Sequence, residues 1–434
     1  MLAGGGHAAL EAALRDDGMA ARDRALFTQL VNGSIKMRRA LDWSLSRYLK
    51  RPLESLTSEL RWTLRLGAYQ LLYLERVPAH SAVDESVKLA RRTGHAGTAA
   101  VANAVLRKLA AQPVRPPVPR PGDGPDVLGS YASLPDWLAG HLIERFGAET
   151  ALRIADGVNQ MPRRAARVNT LVTTVAEMTS KLESAGVDVG PSRYGIPDCL
   201  VLARTPPASA TMLNRLIRSG RLTMQSEESQ LAVHLLDPRP GDTVLDVCAG
   251  RGVKTGAIVQ RRPTSVHALD DDPTKLAVLA QEMVRIDGLM PEVVCADATR
   301  AYTTVNMPAS FDAVLVDAPC SGIGTIGRRA DLRWAKSSSD PVRLAPTQGA
   351  ILRQAAASVK PGGRLLYVTC STDAREDEDI IRTFVAQHPE FRVAALPIVA
   401  PVGAIISMDA FALTKPGIDG ADGFFYAKLE RSAR

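Results

Sequence analysis

The sequence predicts a multidomain protein. An all-helical amino-terminal region is followed by a small α+β region and then a carboxyl-terminal α/β domain with a largely parallel sheet. Three observations carry that reading. Apolar residues recur at helical spacing through residues 1–112. The stretch Pro113–Pro125 holds six prolines together with Gly122 and Gly124, a density that neither a helix nor a central strand survives. From about Arg239 onward, short apolar runs alternate with helical stretches, the pattern of a doubly wound sheet. The length of 434 residues suits two or three domains at roughly 100–200 residues each.

In the first region Leu41, Leu45, Tyr48 and Leu49 fall on one helical face. Leu60, Leu64, Tyr69, Leu71 and Leu72 continue the apolar faces, and Val101, Val105, Leu106 and Leu109 close the set. Between them lie Arg38, Arg39, Arg47, Arg61, Arg65, Arg91, Arg92, Arg107 and Lys108. Such a distribution is either an RNA-contacting surface or an ordinary solvated face. Residues 113–130 read as a linker. Residues 131–230 read as a small mixed domain, with helices at Asp136–Phe146, Ala148–Val158 and Val175–Ala185. Gly186 stands just past the last of these, where helices favour glycine. A basic strand entry runs from Arg163 to Asn169, and further strands are expected near Val187 and Leu200. Arg163, Arg164, Arg167 and Arg193 are candidate phosphate contacts or plain surface charge.

Residues 231–434 form the α/β domain. Strands are expected at 244–248, 266–269, 292–295, 313–316 and 364–368, with helices from Lys254, over Thr274–Ile286 and over Gln348–Val359. Phe424–Leu429 is expected as a late edge strand. In such sheets ligands gather at the carboxyl ends of the strands. Those ends carry Cys248-Ala249-Gly250-Arg251-Gly252-Val253-Lys254, then Asp270, then Asp297, then Asp317-Ala318-Pro319-Cys320, and then Thr369-Cys370-Ser371.

Composition narrows the function classes. The net charge of +7 is compatible with a polyanionic partner such as nucleic acid. The five cysteines form no C-x-x-C pair, so no structural zinc site is expected. No stretch reaches the ~20 apolar residues of a membrane span. Residues 1–20 carry Asp16 and Asp17 and lack the apolar core of a leader. A reduced, cytoplasmic protein is expected, acting as a monomer.

The loop at 248–254 lets backbone approach a ligand through Gly250 and Gly252, and a helix follows it. It matches neither G-x-G-x-x-G nor G-x-x-x-x-G-K-[ST], which disfavours a dinucleotide or a P-loop nucleotide. Asp270 is placed to accept from ribose hydroxyls, and Asp297 lies near the expected position of the base. Three acidic strand ends, counting Asp317, suit a cofactor with a sulfonium and an amine but no phosphate. S-adenosylmethionine fits that description. Each aspartate taken singly is also an ordinary cap or turn residue.

Cys320 and Cys370 follow two strands and are placed to face one pocket. A thiolate adding to carbon 6 of a pyrimidine makes carbon 5 nucleophilic, and a second thiol can assist release of the adduct. On residues alone, two small buried cysteines is the better reading.

The motifs Asp317-Ala318-Pro319-Cys320-Ser321-Gly322 and Tyr367-Val368-Thr369-Cys370-Ser371-Thr372 resemble the two cysteine motifs of the RNA cytosine-carbon-5 methyltransferases. The tail Asp422–Leu429 is similar to the last strand of that family. Leu66-Gly67-Ala68-Tyr69-Gln70-Leu71-Leu72-Tyr73, Pro78-Ala79-His80 and Val101–Arg107 resemble the NusB-like domain of the bacterial 16S ribosomal RNA members of the Fmu/Sun type. Arg167-Val168-Asn169-Thr170 and Gln225-Ser226-Glu227 look like the middle region of those proteins.

The resemblance implies an all-α NusB-like RNA-binding domain, a small α+β RNA-binding domain and a Rossmann-like class I methyltransferase domain. It implies S-adenosylmethionine as cofactor, bound by the 248–254 loop, Asp270, Asp297 and Asp317. Cys370 is then the nucleophile and Cys320 the residue that helps release product. Asp317 either contacts the cofactor or holds the target base. The implied reaction is methylation at carbon 5 of a cytosine in 16S ribosomal RNA, with no metal. Transfer RNA, another ribosomal RNA, or a non-catalytic assembly role are the competing readings. The loop departs from the family pattern, with Arg251 where the family has proline and Val253 where it has glycine. A valine at a left-handed position would be strained.

Overall fold

The computed structural model describes residues 21–301, 307–398, 405–408 and 410–433. The leader reading of residues 1–20 lies outside them. Packing divides the described chain into two units. One runs to Asn159 and takes in Arg329–Ser338, and the other holds the remainder.

The first unit is helical: α1 (Ala21–Lys36), α2 (Arg38–Ser46), α3 (Ser58–Tyr73), α4 (Ala79–Thr93), α5 (Ala96–Ala111), α6 (Pro125–Ala132), α7 (Asp136–Phe146) and α8 (Ala148–Gly157). Its core holds the leucines expected from periodicity, among them Leu41, Leu45, Leu64, Leu106 and Leu109. Two of the candidate RNA-binding arginines are spent inside the unit. Arg65 is buried and makes a two-pronged pair with Asp42 at 2.7 and 2.8 Å. Arg39 meets Asp136 at 2.6 Å and donates to the Leu134 carbonyl.

Helices α6–α8 belong with the helical unit, and α6 starts at Pro125, inside the expected 113–130 linker. Only residues 113–124 lack regular structure there. Proline is welcome at a helix start, where its missing N–H has no intrahelical partner to lose. The returning segment Arg329–Ser338 is anchored in this unit by fully buried Arg333, which donates to Asn159 Oδ1 at 2.7 Å and to the Val158 carbonyl at 2.8 Å. Trp334 donates to the Ile35 carbonyl, and the Arg38 guanidinium lies 5.1 Å from its ring centre.

The second unit begins with β1 (Arg164–Val168), α9 (Val175–Ser184), β2 (Asp188–Pro191), β3 (Cys199–Arg204), α10 (Ala210–Arg218) and β4 (Leu222–Met224). The strands form an antiparallel sheet in the order β2-β3-β1-β4. Thr174 and Glu177 form a reciprocal cap on α9, and Gly186 takes the expected left-handed turn at φ 76°. Helix α10 and strand β4 are additional to the elements expected from the sequence.

There follow α11 (Glu227–Leu236), β5 (Thr243–Val247), α12 (Val253–Val259), β6 (Ser265–Asp270), α13 (Pro273–Arg285), β7 (Glu292–Cys295), β8 (Phe311–Asp317), α14 (Ser339–Ala357), β9 (Val359–Thr369), α15 (Glu378–Gln387), β10 (Phe391–Ala394), β11 (Ile405–Met408), β12 (Phe411–Thr414) and β13 (Phe425–Arg431). The sheet order is β11-β12-β13-β9-β8-β5-β6-β7, with β10 paired to β13. Strands β5 to β9 run parallel, and β13 is antiparallel to β9.

The expected edge strand is therefore interior: β13 pairs with β9 on one side and with β12 and β10 on the other. That is why its first half is apolar and Phe425, Tyr426, Ala427 and Leu429 are all fully buried, while Lys428, Glu430 and Arg431 are only partly covered. The order reverses between β5 and β8, the switch point at which ligands collect. The helix expected at Gln348–Val359 starts nine residues earlier, at Ser339, despite Pro341 in its first turn and Pro346 within it.

Candidate active site

Strand β5 ends in a loop whose shape is set by its backbone. Cys248 has φ 63°, Gly250 58° and Gly252 81°. The Ala249 N–H donates to the Leu269 carbonyl at 2.9 Å, and the Gly250 N–H donates to Asp270 Oδ2 at 2.9 Å. At Gly252 a side chain is excluded twice, because a Cβ would also lie 2.6 Å from Leu279 Cγ. Val253 lies outside the left-handed positions and opens α12. The strain conditional on a left-handed Val253 does not arise. The left-handed places belong to Cys248 and two glycines.

Asp270 is buried at the end of β6. Its Oδ1 accepts from the Asp272 N–H at 3.0 Å and faces Lys275 at 3.3 Å. Asp297 is exposed beyond β7, bonded to Thr299 and 3.3 Å from Arg300. None of its bonded partners belongs to the loop or to the cysteine pair. Asp317 ends β8 and meets Lys254 Nζ at 2.5 Å. Burial works against the Lys254 charge. Asp317, by charge and by hydrogen bond, outweighs it and raises the ammonium, with Cys370 and Asp246 assisting. The Nζ also lies 5.7 Å from the Phe424 ring centre.

One strand over, the structure brings the two cysteines together. Cys320 Sγ and Cys370 Sγ are 3.2 Å apart, and the Cys370 N–H points at Cys320 Sγ at 3.3 Å. The Cys320 thiol is pushed well up, first by its bond to Cys370 and then by burial, with the charge of Glu376 adding to both. The turns carrying the cysteines are packed against the tail. The Gly324 N–H donates to the Cys370 carbonyl and the Gly423 N–H to the Gly324 carbonyl, and a Cβ on Gly324 would sit 2.0 Å from the Gly423 carbonyl oxygen.

Several site residues escaped sequence reasoning. Asp246, inside β5, is fully buried and accepts from Thr255 Oγ1 at 2.7 Å; burial pushes its carboxyl up to about 7. Buried Glu376 accepts from Ser321 Oγ and Ser371 Oγ, both at 2.5 Å. The only signal available for these was the repeated Cys-Ser pair, because an acidic residue within a strand or a turn looks ordinary in sequence.

The parallel sheet, its switch point and the glycine-bearing first loop define a doubly wound α/β domain with a ligand site at its strand ends. The comparisons make this specific. The family described as 16S rRNA methyltransferase RsmB/F matches residues 233–430, the NusB family matches 7–111, and the RsmF/B-like ferredoxin-like domain matches 134–209. A probable ribosomal RNA small subunit methyltransferase B of Bacillus subtilis is 32% identical over 384 residues, covering 88% of this chain and 84% of that protein. The corresponding protein of Yersinia enterocolitica is 30% identical, covering 94% and 90%. Among solved structures, that of PH0851 aligns over 98% of this chain and 94% of its own with a TM-score of 0.78 at 27% identity. NSun6 from Pyrococcus horikoshii shares the fold, with a TM-score of 0.59 at 19% identity over 69% of this chain and 98% of its own.

The chain belongs to the RsmB/F family of 16S ribosomal RNA methyltransferases. It is an S-adenosylmethionine-dependent RNA methyltransferase. The residues present fit that cofactor. Burial raises the Cys248 thiol, and Asp317, Asp270, Asp246 and Asp271 add to the shift, so a negative field covers the loop. Such a field suits a sulfonium and an ammonium and opposes a phosphate. Among the described residues no cluster of His, Cys, Asp or Glu could hold a metal ion, and no helix is long and apolar enough to cross a membrane.

Proposed function

We propose that the protein methylates carbon 5 of a cytosine in 16S ribosomal RNA through a covalent bond from Cys370 to the base. The observation that carries this reading is the pair of thiols 3.2 Å apart at the ends of adjacent strands, beside the Lys254–Asp317 pair. The cofactor, held by the 248–254 loop with Asp270, Asp297 and Asp317, supplies an electrophilic methyl group. Asp270 retains acceptor capacity for ribose hydroxyls beside its present bonds, since a carboxylate offers about four lone-pair sites. The Lys254 ammonium, electrostatically coupled to Cys370, favours the thiolate there.

Cys370 Sγ bonds to carbon 6, and the displaced π pair at carbon 5 takes the methyl. Cys320 then donates its proton to Cys370 Sγ as the carbon–sulfur bond breaks. The resulting Cys320 thiolate takes the carbon 5 proton, and the electron pair left behind restores the ring double bond. The single proton released overall is the one lost from Cys370 at the start. Asp317, with one oxygen on Lys254, keeps the other for the cofactor or for the exocyclic amine of the target base. The base must be single-stranded or flipped for its face to meet Cys370.

Methyl transfer from radiolabelled cofactor to protein-free 16S RNA tests this, with each sample also run on a denaturing gel. Label in RNA with wild type, none with Cys370→Ala and a trapped protein–RNA band with Cys320→Ala are expected. Transfer surviving Cys370→Ala would overturn the nucleophile assignment.

A further inference from the structure

The two cysteine turns are joined by one buried side chain that takes no part in the chemistry above. Each cysteine is followed by a serine, and the serines repeat the geometry of the thiols, with Ser321 Oγ and Ser371 Oγ 3.3 Å apart. Both hydroxyls donate to Glu376 Oε2 at 2.5 Å. The Ser321 N–H donates to Oε1 at 2.8 Å, and Gln348 Nε2 reaches the same oxygen at 3.1 Å while also holding the Pro319 carbonyl at 2.9 Å. The backbone carbonyl of Glu376 accepts from the Tyr367 hydroxyl at 2.7 Å. Ser321, Ser371, Gln348, Tyr367 and Glu376 are all buried. A carboxylate fully engaged by charge-assisted bonds in a dry site holds its donors tightly.

We infer that Glu376 is a positioning residue that clamps the Cys320 and Cys370 turns together and so sets the thiol–thiol distance on which the proposed reaction relies. The inference rests on that reaction for its purpose, but the clamp can be measured without it. The bond network also explains why both motifs carry serine after cysteine. Alanine at either place would leave the carboxylate short of a donor in a buried site.

The test uses the full chain as wild type, Glu376→Ala, Glu376→Gln and the double variant Ser321→Ala with Ser371→Ala. The first readout is the rate of Cys320–Cys370 disulfide formation with an azodicarboxamide oxidant, followed by peptide mapping. The oxidant takes up two electrons and two protons as the two thiols become a disulfide. The second is kcat and KM for methyl transfer to 16S RNA.

Glu376→Ala is expected to slow cross-linking at least ~10-fold and to lower kcat by about 100-fold with KM for the cofactor little changed, the scale of a reacting group misplaced by about 1 Å. Glu376→Gln keeps an oxygen for the Ser321 N–H and Gln348 and turns an amide toward hydroxyls that can accept. It should recover most of both losses. The serine double variant, which removes no buried charge, should lose about 10-fold in cross-linking and keep its folded circular dichroism. Wild-type cross-linking in both Glu376→Ala and the serine variant would overturn the clamp. So would Glu376→Gln as impaired as Glu376→Ala, because charge rather than hydrogen-bond geometry would then be responsible. If wild type transferred no methyl, the proposed reaction would fail while the cross-linking comparison still reported on the clamp.

Discussion

The two halves of the candidate active site are built by different means. The loop after β5 is shaped by main-chain conformation: three left-handed residues and N–H bonds to Leu269 and Asp270. Arg251 is exposed and Val253 36% exposed, and of the loop's later side chains only Lys254 turns inward, to Asp317. The cysteine turns are shaped by buried side chains, and Ser321, Ser371, Gln348 and Glu376 are each no more than 1% exposed. A backbone-built cradle tolerates side-chain change wherever φ is ordinary. A side-chain-built cradle does not, since each lost donor leaves a buried acceptor unpaired. That is the physical reason the loop can depart from its family pattern while both cysteine motifs remain intact.

The largest effect should come from the electrostatic link between the halves. Asp317→Asn removes the charge facing Lys254, and Lys254→Met removes the cation coupled to Cys370. Either change should lower kcat by about 10²–10³, the usual scale for losing one preorganised charge in a dry site. Single-turnover methyl transfer at saturating cofactor measures it. A loss confined to KM would mean that the pair serves cofactor binding alone.

Next is Asp246. Its folded carboxyl, raised by burial to about 7, binds a proton that the unfolded chain, near 3.8, has already released. Between those values the native state holds more protons, so stability falls as pH rises from about 4 to about 7 and levels off above. Asp246→Asn should flatten that slope, read from urea midpoints across the range. Some slope will remain, because burial and then Asp422 push Glu228 up to about 7 as well. An unchanged slope would show that Asp246 is charged when folded.

Gly252→Ala tests the backbone side directly. A left-handed alanine against Leu279 should cost about 2–3 kcal/mol of stability and weaken cofactor binding. Thermal unfolding with and without cofactor separates the two effects.

How much of this was legible depends on the kind of force involved. Buried parallel strands read as apolar runs, so Val244–Val247 and Ala313–Val316 declared themselves and their ends delivered Cys248, Asp317 and Cys320. Neighbours in a sheet are not written locally, so β13 passed for an edge strand although β12 and β10 cover it. Helices α6–α8 have unremarkable patterns, and only packing assigns them to the helical unit. Nothing in the sequence around Arg333 marks it, yet it is fully buried. Asp297 follows the strand-end rule, yet its own bonds are to Thr299 and Arg300. Glu376 lies six residues past Cys370 in a turn, and no periodicity points from it to Ser321.

The smallest effect is expected at Val253, and it is the sharpest check on the difference between the halves. If the loop is shaped by Cys248, Gly250 and Gly252, then Val253→Gly restores a family residue that this backbone does not need. Valine here sits in the first turn of α12 with its side chain partly in solvent. Glycine should therefore lower stability by at most about 1 kcal/mol, through added freedom of the unfolded chain. Cofactor affinity by calorimetry should move by less than about 3-fold, within roughly 0.7 kcal/mol. A tenfold tightening would mean that valine distorts the cradle, and the loop would then depend on its side chains as the cysteine turns do.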